Sequence, residues 1–148
     1  MTLAGNKTEM TATRETDSGF TLVELLIVVA IIAILAAIAL PQMSAYSQRA
    51  ARAGMVSDAK NAGNHEEAYF IDNQTYLAIG DTTGPASVAI GTGRILVSSG
   101  NTLSIAGGAT GIDSSFVVTV SNPKAGAGKS PLTRTMDGEC TWADGSSC

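Results

Sequence analysis

The sequence predicts an α+β fold: a long amino-terminal helix, membrane-spanning in its first half, packed on an antiparallel sheet of four or five strands. Three observations carry that reading. From Leu25 to Leu40 every residue is apolar. Past Pro41 the apolar positions step by three or four, which is the helical period. Beyond Gly93 the chain changes to short runs rich in Val, Ile and Thr, divided by glycine-containing turns, as strands are.

Counted from Phe20, the apolar run reaches 21 residues and is interrupted only by Thr21 and Glu24. At about 1.5 Å per residue it makes roughly 31 Å of helix, enough to cross the hydrocarbon core of a bilayer. Glu24 lies one turn inside the start of the run. A charged side chain in lipid costs roughly 2.5 to 3.5 kcal/mol at the centre of a span and less near an end. A carboxylate kept there calls for a partner.

Gly19, Phe20, Thr21, Leu22, Glu24, the apolar run and Pro41 resemble the amino-terminal signature of the bacterial type IV pilins. The resemblance is to a type IVa-like major pilin, and it implies the pilin fold. It also implies a prepilin peptidase that cuts after Gly19 and methylates the new terminus at Phe20. On that reading residues 1–19 are a removed leader, 20–41 the transmembrane and assembly half of the long helix, and 42–148 the globular head. The resemblance further implies that Glu24 neutralises the terminal amine of a neighbouring subunit's Phe20. A free α-amino group has a pKa near 8 and is largely cationic at neutral pH, so it suits that role.

Residues 1–18 are polar and without periodicity, as a leader is. They depart from the family in two respects. Ser18 stands where the residue before the glycine is commonly basic, and Lys7 and Arg14 against Glu9, Glu15 and Asp17 leave a balance of −1. Orientation divides the two lines of reading. Arg49, Arg52 and Lys60 after the span outnumber Lys7 and Arg14 before it, which by charge alone places the carboxyl side inside. The resemblance places it outside, with the leader in the cytoplasm, and a carboxyl-terminal disulfide needs such an oxidising compartment.

Past the span, Met43, Tyr46, Ala50, Ala53 and Val56 form the apolar face of a continuing amphipathic helix. Gln48, Arg49, Arg52, Asp58, Lys60 and Asn61 hold its other face. The pattern runs to about Asp72, roughly 75 Å of helix from Phe20. Pro41 removes one backbone donor and crowds the carbonyl of Ala37, so a kink or local melting is expected there; Gly54 and Gly63 soften the helix further. His65 to Tyr76 ends the helix, and its Tyr69, Asp72, Asn73 and Tyr76 resemble the end of the long helix in type IVa pilins and pseudopilins. His65 beside Glu66 and Glu67 reads as a solvated helix face, since no second histidine follows at helical spacing.

Gly80 to Gly93, rich in Gly, Thr and Pro, reads as a linker over the surface. Strands are predicted over residues 94–98, 102–106, 115–121, 132–136 and 139–142. Ser99-Gly100-Asn101 and Asp137-Gly138 sit where hairpin turns are wanted. Cys140 and Cys148 are closely spaced in an exported chain and read as a disulfide; with no nearby histidine they supply only half of a zinc shell.

The sequence offers little to enzyme chemistry, and no cofactor or metal site is expected. With one histidine in the chain, no nucleophile and base arrangement can be assembled. Lys124 to Ser130, KAGAGKS, imitates a phosphate-binding loop. Pro123 replaces its first glycine, however, and Pro131 with a β-like run follows where a helix is required. Asp137, Glu139 and Asp144 lack the spacing of a calcium loop. The net charge is −4 and the basic residues are scattered, so no sequence-specific nucleic-acid surface is marked.

The expected function is therefore that of a structural subunit of a type IV pilus, a homo-oligomeric helical filament. By the resemblance it is held in the inner membrane, processed by prepilin peptidase and delivered by the pilus assembly machinery to the cell surface. Adhesion, twitching motility and DNA uptake are the family's usual uses of such a filament. The alternatives are a pseudopilin of a type II secretion system, or an unrelated single-pass or secreted protein with a signal-peptidase site near Ala37-Ile38-Ala39.

Overall fold

The computed structural model describes residues 19–148; the expected leader falls almost wholly outside them. One helix, α1 (Leu22–Asn73), precedes seven strands, β1 (Ile79–Thr83), β2 (Ala86–Ile90), β3 (Gly93–Val97), β4 (Thr102–Gly108), β5 (Gly111–Ser121), β6 (Leu132–Thr135) and β7 (Cys140–Trp142). The chain divides into two compact units, the first ending at Ile38 and the second spanning Ala39–Cys148.

In the first unit, the helix carries an apolar window with a mean hydropathy of 3.1, none of it buried. By length and composition this segment can cross a membrane. The assignment of α1 runs through Pro41, so the expected local melting is absent. The proline still removes one amide donor from the ladder.

In the second unit, the buried positions of α1 are Met55, Asp58, Ala59, Ala62, Gly63 and Glu66. They recur by three and four, but this is not the face that apolar periodicity selects. Met43 and Tyr46 are each 75% exposed, and Ala50 and Ala53 are also exposed. Small residues explain the difference. Ala59, Ala62 and Gly63 let the sheet approach the helix axis, and the two carboxyl groups flanking them, Asp58 and Glu66, are accommodated by donors from the turn between β3 and β4 and from the loop before β1.

The main sheet has five antiparallel strands in the order β1-β4-β5-β6-β7, within the expected range. Its inner face supplies Leu103, Ile105, Phe116, Val118, Val120 and Leu132 to a core completed by Met55, Ala59 and Ala62 of the helix. The long β4–β5 hairpin pairs Thr102 with Ser121 and Ile105 with Val118. Asp137-Gly138 forms the expected turn, with Gly138 at φ +84° and its amide donating to the Thr135 carbonyl at 3.0 Å.

Residues 80–93 correct the linker reading. They hold most of β1 and all of β2, and β2 pairs with β3 in a separate small sheet, with Val88 opposite Ile95. Glycine and proline composition hid the β-branched Thr82, Thr83, Val88 and Ile90.

The Ser99-Gly100-Asn101 turn is likewise not a hairpin. Its flanking strands β3 and β4 belong to different sheets, so the turn is where the chain crosses between them. At this crossing the Gly84 amide donates to the Asn101 carbonyl at 2.8 Å. A Cβ at Gly84 would collide with the Ser98 carbonyl, so the close approach requires glycine.

Candidate processing and assembly site

Gly19 and Phe20 precede the helix and are exposed, Phe20 at 88%. The helix then opens on a reciprocal cap. Glu24 Oε2 accepts the Thr21 amide at 3.0 Å and the Thr21 hydroxyl at 2.8 Å, while Thr21 Oγ1 accepts the Glu24 amide at 3.2 Å. The carboxylate thus lies at the positive end of the helix dipole with its own threonine as a partner. Both of these bonds use Oε2, and neither uses Oε1.

This internal partner escaped the sequence reading, although Thr21-Leu22-Val23-Glu24 has the spacing of a capping box immediately before an apolar run. The uniformly apolar run that follows marks a span by composition and carries no signal of how its first turn is capped. Pro41 lies in the same helix but in the second unit.

At the other end of the chain Cys140 and Cys148 are disulfide-bonded, with their Cα atoms 5.5 Å apart. The enclosed loop is fastened from outside as well. Lys129 Nζ meets Asp144 Oδ2 at 2.7 Å, donates to Ser146 Oγ at 2.6 Å and stands 5.9 Å from the Trp142 ring centre. These contacts hold the Asp144 carboxyl well below the usual carboxylate range, the hydrogen bond from Lys129 first and those from Ser146 next. Asp144 is thereby engaged with a lysine. Among the described residues no cluster of three metal-ligating side chains occurs.

The Lys124–Ser130 stretch is a loop leading into strand β6, so the helix of a phosphate site is lacking. Its backbone serves packing instead. Arg52 Nε donates to the Ala125 carbonyl at 2.6 Å, and Ala125 is fully buried.

Two carboxyl groups expected on solvated faces are buried. Asp58, 2% exposed, accepts the Ser98 amide at 2.8 Å, the Ser98 hydroxyl at 2.7 Å and Asn101 Nδ2 at 2.7 Å. Asn101 Oδ1 in turn accepts Asn122 Nδ2 at 2.6 Å. Glu66 is fully buried, and its Oε2 accepts the Leu77 amide at 2.8 Å. Neither role has a local signal, because each donor lies far along the chain or in a loop.

Residues 16–40 match the model of the prokaryotic N-terminal methylation motif. The chain is 37% identical over 77 residues to the type IV wide pilus major component PilA4 of Thermus thermophilus, a match that covers 47% of this chain and 59% of that protein. No solved structure matches it. The chain thus joins a prokaryotic N-terminal methylation motif to an exposed apolar helix, carries an antiparallel sheet after it, and is similar over part of its length to a type IV pilus component.

Proposed function

We propose that this chain is the structural subunit of a type IV pilus, stored in the inner membrane and polymerised into a helical filament of identical copies after prepilin peptidase cuts between Gly19 and Phe20. The observation that carries the proposal is the helix from Leu22 to Leu40, whose large side chains are all exposed. Such a surface must be covered by lipid or by like helices.

The Gly19–Phe20 bond stands outside the helix, as a peptidase substrate requires, and Phe20 becomes the methylated terminus. Residues 20–41 then act as the membrane and assembly half, and 42–148 as the head. Glu24 receives the neighbouring Phe20 amine. Its Oε2 is held by Thr21, while Oε1 takes part in neither bond and is the oxygen we assign to that contact. An amine entering an apolar filament core without a counter-charge would cost several kcal/mol, so the pair fixes the register of each added subunit.

Peptide mass spectrometry of the protein recovered from sheared surface fibres tests the proposal. The expected terminal peptide begins at Phe20 and carries one methyl group. A terminus at Met1 or Leu40, or the absence of the protein from fibres, would overturn it; the latter with a methylated Phe20 would favour a pseudopilin.

A further inference from the structure

The end of α1 buries a carboxyl group that assembly does not use. Glu66 is fully buried, and while Oε2 accepts the Leu77 amide at 2.8 Å, Oε1 is enclosed and meets no hydrogen-bond donor among the described residues. One turn later the Phe70 ring stacks on Tyr76 at 4.6 Å between centres, and Tyr76 leans on Phe116 of β5 at 4.8 Å.

The titratable groups around this joint do not supply a counter-charge. Glu67 adjoins on the same helix, and His65 is turned toward Gly93. Tyr76 comes from the loop leading to β1, Asp113 of β5 accepts the Thr75 hydroxyl at 3.1 Å, and Arg134 of β6 lies against Gly63 one turn earlier. The salt bridge found among the described residues joins Lys129 to Asp144, and Glu66 has none.

An ionised carboxylate with a bare oxygen in such a place forfeits its hydration, whereas the neutral acid forfeits far less. We propose that Glu66 is a proton-operated latch: neutral, it clasps Leu77 and holds the loop between α1 and β1 shut, and ionised, it releases that loop. Burial pushes the Glu66 carboxyl up from its ordinary value, the Leu77 bond opposes this, and the Glu67 charge adds to the rise. A group raised on folding stabilises fully below its unfolded pKa, about 4.3 for glutamate, and that stabilisation is lost as pH rises through the folded value. The latch is therefore closed in acid and loosened toward alkali.

The test uses the full chain in detergent micelles with glutamate carboxyl carbons labelled, the Glu66 signal being assigned through its own backbone. It is expected to titrate above the ordinary glutamate value of about 4.3. The Leu77 amide, corrected for intrinsic exchange, is expected to lose up to about tenfold in protection per pH unit between the unfolded and folded values. Glu66→Gln, which keeps the acceptor for Leu77, is expected to remove that dependence. A Glu66 signal titrating at or below that ordinary value would overturn the proposal, as would an unchanged pH dependence at Leu77 in the glutamine variant. The titration is read on the unaltered chain, so it decides the matter even where the variant folds poorly.

Discussion

Asn101 Nδ2 donates to Asp58 Oδ2 at 2.7 Å, which ties the long helix to the turn where the chain passes from the small sheet to the large one. Asp58 is buried without a cation and is satisfied by three neutral donors from two residues, Ser98 and Asn101. Asp58→Ala would orphan all of them and is expected to destabilise the head by about 3 to 5 kcal/mol. Asp58→Asn, which keeps an acceptor, is expected to cost less. Denaturant unfolding of the full chain in detergent, followed by Trp142 fluorescence, measures both; equal small losses would show that the crossing is held by other means.

Removing the disulfide through Cys148→Ser is expected to cost roughly 2.5 kcal/mol, because closing so short a loop restricts the unfolded chain by about that amount. In the native protein neither thiol is expected to react with an alkylating reagent until a reductant is added. Labelling of both without reductant would contradict the pairing.

The contact between Lys129 and Asp144 gives the carboxyl-terminal loop an acid limit. Asp144 is depressed on folding, so its contribution is present above the unfolded value of about 3.9 and is lost as pH falls through the lower folded one. Lys129→Met is expected to return the Asp144 carboxyl toward the ordinary range, since the lysine is the first cause of the shift. Side-chain NMR titration reads this directly, and an unmoved Asp144 would assign the depression to Ser146.

Glu24→Ala is expected to leave the subunit abundant in the membrane while fibre yield falls strongly. The span becomes more apolar, so insertion does not suffer. On the proposed assembly role the variant loses the counter-charge for a neighbour's Phe20 amine, and with it the carboxylate bonds to the Thr21 amide and hydroxyl. Thr21→Val separates the two losses: it removes the hydroxyl bonds of the cap, worth about 1 kcal/mol, and keeps the carboxylate with its backbone-amide bond. Comparing sheared fibres with the membrane pool measures each, and equal defects in the two variants would assign the role of Glu24 to capping.

Much of this organisation is legible in the residues. The helix shows through composition and period, and the strands from β3 to β7 show through β-branched runs, because both patterns are local. The β1 and β2 strands do not, since their pairing partners β4 and β3 are what turn a Gly- and Thr-rich stretch into sheet. Asp58 and Glu66 read as surface charges because their donors, Ser98, Asn101 and Leu77, are brought to them only by the fold. The Glu24 cap was written in the sequence, at the spacing from Thr21 to Glu24, and its meaning lay in backbone donors rather than in apolar count.

The last residues of the chain fold back on the outermost strand of the main sheet: the Trp142 amide donates to the Ser146 carbonyl at 2.8 Å, and the Cys148 amide donates to the Cys140 carbonyl at 3.1 Å. The opposite margin, β1, is short, breaks register between Ile79 and Thr82 and carries Asp81. A protein that assembles as proposed, beside many copies of itself, is at constant risk of joining them by the wrong route, through strands adding to strands without limit. Sealing one border with its own tail and roughening the other closes that route, and leaves the apolar helix as the surface through which identical chains can stack.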